Sequence, residues 1–404
     1  MRRVVIAGAG LAGLSVASGL RSSGYSGEIT VLNGEAVVPY DRPQLSKGFM
    51  QGTELPQVQL LWSQKEFIEN DTHLMNARLM SIDTAACTVE CTGGVTLDYD
   101  ALVLATGSRA RRLNGEALAN YYYLRTYEDA LQIRAVLNGG GNVVCIGGGV
   151  IGLELASAAR EKGRSVDVVE MGDSLLGRLG NPSLSEDMLR LCKKHGVSVH
   201  LGRGVVERRS DSILLDDGCR LSADAFLVGI GVEREIEFAR HAGLAVGQGI
   251  LVDGDGRTSV ENIFAAGEVA EYPHPVTGQP SLSENWKHAM DHGAHVGRAV
   301  AGAARPFAAV EWVWSDQFGV NIQIAGDLSA PHREIVRGDR QGDQFVVFSL
   351  AADNTIRGAY GFNAGAEISA TTRLIQRNVK VEPDRLANPE NSLRDFFKQK
   401  QNAS

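Results

Sequence analysis

The first strong pattern along the chain is an apolar run that ends in glycines and continues as a helix. In residues 4–20, VVIAGAGLAGLSVASGL, the run predicts a buried β-strand followed directly by an α-helix. Gly8, Gly10 and Gly13 stand between the two elements. Glycine stabilises neither a strand nor a helix, so the three glycines indicate a tight turn that something must approach closely.

The same pattern returns in residues 143–159, VVCIGGGVIGLELASAA, with Gly147, Gly149 and Gly152 at the same spacing. A G-x-G-x-x-G turn between a strand and a helix allows a pyrophosphate to approach the backbone at the helix N-terminus. One such match is weak evidence, but two in one chain predict two dinucleotide-binding units.

The two copies also agree further along the chain. LDYDALVLATGSR at 97–109 aligns with LSADAFLVGIGVE at 221–233, which places Gly107 on Gly231. A further short strand pattern, at 259–270, closes on Gly267 and an acid. The simplest topology inserts the second unit into the first, so that this strand completes the first sheet.

We therefore predict an α/β fold with two Rossmann-like dinucleotide-binding domains and a C-terminal α+β domain. From about residue 320 the pattern changes to alternating strands, NIQIAG, DQFVVFSLA and TIRGAYGFN, followed by the helix pattern AGAEISATTRLIQRN. The predicted boundaries are 1–108 with 241–319 for the first domain, 109–240 for the inserted domain and 320–404 for the third.

Composition and charge limit the partners. The 404 residues contain 40 Lys and Arg against 48 Asp and Glu, a net charge of −8, which argues against nucleic acid or an anionic membrane as a bulk partner. No apolar run reaches the length of a membrane span. The five cysteines form no C-x-x-C pair, and we expect reduced thiols in a cytoplasmic protein.

No metal site is expected. His288, His292 and His295 share one face of a predicted helix at spacings of four and three, but no carboxylate or cysteine pattern completes a ligand set.

In the loop at 37–50, Pro39 and Pro43 oppose helix formation until Ser46 can cap a helix.

Acids after each glycine loop are candidates to bind an adenosine ribose. Glu35 lies 22 residues after Gly13, with Asn33 as an alternative, and Glu170 lies 18 residues after Gly152. A 2′-phosphate beside Glu170 would be repelled, so the second site is expected to prefer NAD over NADP. Arg178 could fold back and offset part of this repulsion.

The paired loops are part of a series of segments that, in this order, resemble the NADH-dependent, FAD-containing ferredoxin reductases that serve bacterial oxygenases. Those segments are YDRPQLSK, LRTYEDA, GGGVIGLE, AAGEVA and WSDQ. The resemblance covers nearly the whole chain. It implies FAD in the first domain, NADH in the second, and hydride transfer from NADH to FAD.

The resemblance also assigns residues. Arg42 and Lys47 fall in the R-P-x-L-S-K loop beside the flavin, and Glu154 falls near the nicotinamide and close to Lys47. Lys47 and Glu154 are the candidate catalytic pair. Glu268 stands where the family usually carries Asp. The other candidate cofactor residues in these motifs are Gly8, Gly10, Ala12, Gly13, Glu35, Ala105, Thr106, Gly107, Arg125, Gly147, Gly149, Ile151, Gly152, Glu170, Gly231, Gly267, Trp286 and Trp314.

The loop at 37–50 has no cysteine, which disfavours a disulfide or single-cysteine route for the electrons. The resemblance therefore implies single-electron transfer to a [2Fe-2S] ferredoxin, which supplies a Rieske dioxygenase or a cytochrome P450. Arg109, Arg111 and Arg112 are a candidate docking rim for an acidic ferredoxin. Three alternatives stay open: a rubredoxin reductase, a monodehydroascorbate reductase, and a flavoprotein like apoptosis-inducing factor. The oligomeric state is left open between monomer and homodimer.

Overall fold

The computed structural model describes residues 1–52, 54–274, 278–303, 305, 307–329 and 333–397. Contacts between Cα atoms divide the chain into two units. The first unit comprises Met1–Pro43, Gln57–Arg109 and Val232–Ala309; the second comprises Gln44–Pro56, Ala110–Gly231 and Val310–Ser404. The three-domain boundaries given above stay predictions.

Helices and strands are numbered here in chain order. The helices are α1 (Leu11–Ser22), α2 (Gln64–Glu69), α3 (Tyr127–Asn138), α4 (Val150–Glu161), α5 (Pro182–Lys194), α6 (Glu237–His241), α7 (Trp286–Val300), α8 (Gly365–Gln376) and α9 (Pro383–Ala387). The first strands are β1 (Arg3–Ala7), β2 (Glu28–Leu32), β3 (Thr72–Met75), β4 (Leu79–Asp83), β5 (Thr88–Cys91), β6 (Val95–Asp98), β7 (Ala101–Leu104), β8 (Ser108–Ala110) and β9 (Tyr121–Tyr123). The next are β10 (Asn142–Ile146), β11 (Ser165–Glu170), β12 (Val197–Leu201), β13 (Val205–Arg208), β14 (Ser212–Leu215), β15 (Arg220–Ser222), β16 (Ala225–Val228) and β17 (Val232–Arg234). The last are β18 (Ile250–Leu251), β19 (Ile263–Ala265), β20 (Ala270–Pro273), β21 (Pro280–Ser281), β22 (Trp312–Gln317), β23 (Val320–Gly326), β24 (Arg333–Gly338), β25 (Phe345–Leu350) and β26 (Ile356–Phe362).

The first unit is built on a parallel sheet in the order β19–β7–β1–β2–β3. Its central strands are apolar on both faces, as expected where both sides of a sheet are covered. Helices α1 and α7 pack closely because glycines bring their backbones together. A Cβ on Gly293 would stand 2.4 Å from the carbonyl oxygen of Ala12, and one on Gly297 would stand 2.2 Å from that of Val16.

The second unit contains a parallel sheet in the order β9–β16–β10–β11–β12, the same arrangement as in the first unit. In both sheets the strand before the glycine loop lies at the centre. Each sheet is accompanied by a three-stranded antiparallel meander, β4–β5–β6 in the first unit and β13–β14–β15 in the second. The structure thus repeats the supersecondary unit that the sequence repeats.

The second unit also contains an antiparallel sheet in the order β22–β23–β26–β25–β24, against which α8 packs. The sequence pattern predicted β23, β25, β26 and α8. It did not predict β22 and β24. The side chains of β25 are all buried, and Phe348 and Ile368 belong to the core between this sheet and α8.

The predicted helix after Ser46 is wrong. Residues Arg42–Ser46 and Gly48–Met50 form two short 3₁₀ turns instead. The physical reason is Arg134, 5% exposed, whose guanidinium donates to the carbonyl oxygens of Phe49 and Gln51 at 2.5 and 2.6 Å. These carbonyls therefore bond to a side chain rather than to a helical backbone.

None of the helices among the described residues is long and apolar enough to cross a membrane.

Candidate functional site

The first glycine loop combines two closely packed positions with one open position. Gly8 has φ +118°, and a Cβ there would stand 2.2 Å from the carbonyl oxygen of Ala105. A Cβ on Gly13 would stand 1.9 Å from the carbonyl oxygen of Gly8, whereas one on Gly10 would meet nothing within 4 Å. Gly8 and Gly13 close the turn, and Gly10 faces the space that a phosphate can enter.

The second loop has the same geometry. Gly147 has φ +110°, and its Cβ would stand 2.3 Å from the carbonyl oxygen of Gly229. A Cβ on Gly152 would stand 2.0 Å from the carbonyl oxygen of Gly147, and one on Gly149 would meet nothing within 4 Å. Each unit therefore has a cradle that fits a dinucleotide pyrophosphate.

The helices that follow both loops begin in a way that suits an anion. Gly10 is the N-cap of α1 and Gly149 the N-cap of α4; neither helix start has a side-chain cap or an acid in its first turn. The first N–H groups and the positive end of each helix dipole are thus left for a ligand. Ile151, in the first turn of α4, is 39% exposed beside this cradle.

Glu170 ends β11 and braces the second loop. Its Oε2 accepts a hydrogen bond from the Gly148 N–H at 2.6 Å, and its Oε1 accepts one from the Gly172 N–H at 2.7 Å. The carboxylate is therefore fixed at the strand end where an adenosine ribose binds in such folds. The Nη2 of Arg178 lies 2.7 Å from the place of a Cβ on Gly231.

Asn33 and Glu35, the two candidates for the ribose in the first unit, make different contacts. Asn33 is buried, and its Nδ2 donates to the carbonyl oxygens of Glu35 and Val37 at 3.0 and 2.9 Å. Glu35 accepts a hydrogen bond from the Tyr40 hydroxyl at 2.6 Å and pairs with Arg42. Burial lowers the pKa of Arg42, but Glu35, Tyr40 and Glu268 together outweigh this effect and leave that pKa raised. Asn33 shapes the loop, and Glu35 is tied to Arg42.

The loop after β19 lies against the start of α1. Gly267 has φ +73°, and a Cβ there would stand 2.5 Å from the Cβ of Ala12. The Gly267 N–H donates to His292 Nδ1 at 3.1 Å. The backbone oxygen of Glu268 accepts a hydrogen bond from Arg234 Nε at 2.9 Å. The backbone of the loop that carries Glu268 is therefore held by two hydrogen bonds.

The segment Ala105–Gly107 follows β7 and lines the other side of the first loop through Ala105. The hydroxyl of Thr106 donates to the carbonyl oxygen of Glu235 at 2.9 Å. Gly107 has φ +70°, and its carbonyl oxygen accepts a hydrogen bond from the Glu235 N–H at 3.0 Å. Gly231, its counterpart in the second unit, has φ +99°.

The three histidines of α7 stack together in the first unit. They are 1–3% exposed, and Phe307 contacts all of them. Burial lowers the pKa of His288 to about 4. Burial, together with the neighbouring His288 and His295, lowers the pKa of His292 well below its usual range. Among the described residues no group of three His, Cys, Asp or Glu side chains is arranged to hold a metal ion.

The structure brings Lys47 and Glu154 together. Glu154 lies in α4 with its side chain 2% exposed, and its Oε1 contacts Lys47 Nζ. Ser46 donates its hydroxyl to Glu154 Oε2, and Ser315 donates its hydroxyl to Glu154 Oε1 at 2.6 Å. Sequence reasoning missed both serines, although each lies in a motif that it singled out. Asp316 also approaches, with its Oδ2 3.8 Å from Lys47 Nζ.

The remaining predicted cofactor residues are placed as follows. The ring of Trp314 stacks on that of Trp312 at 5.1 Å, and its centroid lies 5.8 Å from Lys47 Nζ. In the first unit, Trp286 Nε1 donates to Asp41 Oδ1 at 2.7 Å. Arg125 directly precedes the N-cap of α3.

The three arginines of the predicted docking rim differ in their surroundings. Arg109, in the first unit, pairs with Glu233 and Glu235 at 3.1 and 3.4 Å. In the second unit, the guanidinium of Arg112 lies 4.7 Å from the ring centroid of Tyr123, and the Arg111 N–H donates to the Gly231 carbonyl at 3.0 Å. The positive charge of Arg109 is therefore matched by two acids.

Residues 2–293 match the family model described as pyridine nucleotide-disulphide oxidoreductase. The chain belongs to this family. Residues 312–397 match a second model, described as reductase C-terminal. The predicted fold class of this oxidoreductase is confirmed by these matches and by its similarity to solved reductase structures.

Known relatives match over almost the whole chain. The ferredoxin–NAD(+) reductase component of the p-cumate 2,3-dioxygenase system of Pseudomonas putida is 37% identical over 397 residues, which are 97% of this chain and 98% of that protein. The crystal structure of the ferredoxin reductase for the CYP199A2 system of Rhodopseudomonas palustris has a TM-score of 0.93 and 31% identity, covering 98% of this chain and 99% of the other. The covalent putidaredoxin reductase–putidaredoxin complex also gives 0.93 and 31%, covering 100% and 99%.

These similarities confirm the predicted resemblance to ferredoxin reductases, the prediction of an NADH-dependent ferredoxin reductase, and the cofactors FAD and NAD(H). The roles assigned to individual residues stay predictions, and they are argued below as proposals.

Proposed function

We propose that this reductase binds FAD in the first glycine cradle and NADH in the second, and delivers electrons singly to a [2Fe-2S] ferredoxin that supplies an oxygenase. The observation that carries the proposal is the pair of glycine loops, each with an open central position at Gly10 or Gly149. Bound FAD supplies the redox chemistry, because a flavin accepts a hydride and can release its electrons one at a time.

Glu170 selects the nicotinamide cofactor in this proposal. Its carboxylate is held by two backbone N–H groups, so it cannot swing away from an incoming phosphate. A 2′-phosphate about 4 Å from a fixed negative charge would cost about 4 kcal/mol at an effective dielectric of about 20. The ribose hydroxyls of NADH instead find an acceptor there.

Lys47 and Glu154 are the proposed catalytic pair. The nearly buried carboxylate of Glu154 accepts hydrogen bonds from Lys47, Ser46 and Ser315, which offset the cost of burying its charge. Its negative charge in turn holds the Lys47 ammonium in one place. We propose that Lys47 Nζ holds a proton and a positive charge beside the reacting rings.

No thiol is proposed to carry electrons. All five cysteines are free, and Cys91, Cys145 and Cys192 are buried. Burial raises the pKa of Cys192 to about 12 and also raises that of Cys145, so neither forms the thiolate that exchange chemistry requires. Free thiols also fit the cytoplasm, where we place this enzyme.

Arg111 and Arg112 are proposed to contribute more to ferredoxin docking than Arg109, whose charge is already matched by Glu233 and Glu235. An acidic ferredoxin would be steered by this basic rim, and its association would weaken with salt.

The proposal is tested by NADH oxidation with a panel of acceptors: two [2Fe-2S] ferredoxins, a rubredoxin and monodehydroascorbate. We expect the highest kcat/KM with a ferredoxin, a decrease with salt, and a further decrease in Arg112→Glu but not in the control Arg209→Glu. Faster turnover with rubredoxin or monodehydroascorbate would overturn the choice of acceptor. No turnover with any acceptor would favour the flavoprotein of the apoptosis-inducing-factor type.

A further inference from the structure

The segment Trp314–Gln317 lies at the end of β22, and its four side chains divide between two faces of the strand. Successive side chains of a strand point to opposite faces. Ser315 and Gln317 are 5% and 1% exposed, whereas the side chain of Asp316 between them is 47% exposed. The proposed function uses Ser315 only as a hydrogen-bond donor to Glu154 and gives the other three residues no role.

On the buried face, Gln317 orients Ser315 toward Glu154. Gln317 Nε2 donates to Ser315 Oγ at 2.9 Å, and Ser315 Oγ donates to Glu154 Oε1 at 2.6 Å. A serine hydroxyl has one hydrogen and two lone pairs. Because the amide donor of Gln317 occupies a lone pair, the hydroxyl hydrogen is left to point at the carboxylate.

On the exposed face, two side chains surround the ammonium of Lys47. Asp316 Oδ2 lies 3.8 Å from Lys47 Nζ, and the ring centroid of Trp314 lies 5.8 Å from it. A carboxylate and the face of an indole both attract a cation. Lys47 is therefore held from this side as well as by Glu154.

The pair itself joins two segments that are 107 residues apart, the loop of Lys47 and helix α4. A carboxylate that is 2% exposed needs donors on both oxygens, and Ser46 reaches only Oε2. Ser315 provides the second donor to Oε1, the oxygen that also contacts Lys47. Strand β22 thus fixes both partners at once.

We infer that Trp314–Gln317 is the positioning element of the Lys47–Glu154 pair: Ser315, oriented by Gln317, fixes the Glu154 carboxylate, and Asp316 and Trp314 fix the Lys47 ammonium. The inference rests on the proposed function, in which this pair acts on the reacting groups. Ser315 acts through Glu154 and is a positioning residue.

The experiment is a double-mutant cycle on the rate constant of flavin reduction by NADH, measured by stopped flow on the FAD-loaded enzyme. Ser315→Ala is expected to lower this rate constant about tenfold, with little change in the NADH concentration for half-saturation, because a hydrogen bond to a charged group is lost. Ser315→Thr, which keeps the hydroxyl, is expected to restore most of the rate. Glu154→Gln is expected to be slow, and adding Ser315→Ala to it is expected to cost nothing further.

Two more variants complete the test. Ser349→Ala removes a hydroxyl that is 2% exposed in β25 of the same sheet and that takes no part in the pair, so it is expected to reduce flavin at the normal rate. Asp316→Asn changes an exposed side chain without disturbing the core and is expected to slow the reaction about two- to threefold.

The outcomes separate the inference from the proposed function. An equal loss from Ser315→Ala with and without Glu154→Gln would show that Ser315 only supports the sheet, and would overturn the inference. A normal rate of flavin reduction in Ser315→Ala would overturn the inference for the buried face of β22. A normal rate in Asp316→Asn would overturn it for the exposed face. A normal rate in Glu154→Gln would instead overturn the proposed role of the pair.

Discussion

Replacing Gly149 by alanine is predicted to weaken NADH binding without unfolding the protein, whereas the same change at Gly152 is predicted to destabilise the fold. The two glycines lie three residues apart in one loop, and they differ in what a methyl group would meet. At Gly149 nothing lies within 4 Å; at Gly152 the carbonyl oxygen of Gly147 lies at 2.0 Å. The two variants therefore distinguish a glycine that ligand binding requires from a glycine that folding requires.

The magnitudes follow from the local geometry. The φ of −79° at Gly149 suits alanine, so the gain of about 0.4–1 kcal/mol from a stiffer unfolded chain offsets a similar loss at the helix N-cap. The new methyl group would occupy the path of the pyrophosphate, and overpacking costs about 1–3 kcal/mol, or about 5- to 150-fold in Kd. At Gly152 a similar or larger cost falls on folding, and it exceeds the gain of about 1 kcal/mol from alanine in a helix.

The assay has two measurements for each variant: thermal unfolding by circular dichroism and the KM for NADH at saturating acceptor. We expect Gly149→Ala to unfold within a few degrees of the parent with a KM raised about tenfold or more. We expect Gly152→Ala to unfold several degrees earlier. Normal NADH affinity in Gly149→Ala would refute the placement of the pyrophosphate, and normal stability in Gly152→Ala would refute the close packing of the loop.

Three further predictions concern other parts of the chain. Gly10→Ala is expected to fold normally but to purify with less than one FAD per chain, because its methyl group would enter the first cradle; the ratio of visible to ultraviolet absorbance measures this. Asp187→Asn is expected to lower the free energy of unfolding by about 3–5 kcal/mol in urea, because Asp187 is buried and accepts hydrogen bonds from Arg340 and, at 2.7 Å, from the Tyr360 hydroxyl. Acid is expected to lower the free energy of unfolding between pH about 6.5 and about 4, because burial lowers the pKa of His288 to about 4 and the unfolded chain therefore binds this proton first. The loss of unfolding free energy is about 3 kcal/mol and is expected to be smaller in His288→Phe. An unchanged pH dependence of the unfolding free energy of this variant, measured by urea titration, would contradict this explanation.

The glycine loops could be predicted from the sequence because their requirements are local. Gly8 and Gly147 adopt a positive φ, and the third glycine of each loop packs against the first within five residues. The strand before and the helix after are also set by local patterns. A repeat of such a unit therefore predicts the fold class and two dinucleotide-binding sites without any knowledge of distant contacts.

The immediate surroundings of the Lys47–Glu154 pair could not be predicted in this way. Ser46 follows two prolines and was interpreted as a helix cap, but its hydroxyl donates to Glu154, 108 residues away. Ser315 is 161 residues from Glu154. Strand β22 was not predicted because its polar and aromatic residues do not form a simple alternation of apolar and polar positions. Several of these side chains contact Lys47 or Glu154 instead. The ion pairs of Arg109 with Glu233 and Glu235 could not be predicted either, because the two glutamates are far from Arg109 in the sequence.

The central claim is that this chain takes a hydride from NADH and passes its electrons singly to a ferredoxin without a sulfur relay. The most direct measurement is an anaerobic double-mixing experiment, in which the FAD-loaded enzyme meets one equivalent of NADH and then an excess of oxidised [2Fe-2S] ferredoxin. We predict that about two ferredoxins are reduced for each NADH consumed. We predict the same ratio when the reductase has first been treated with a thiol-alkylating reagent. Reduced enzyme that leaves ferredoxin oxidised, or transfer that stops when thiols are alkylated, would contradict it.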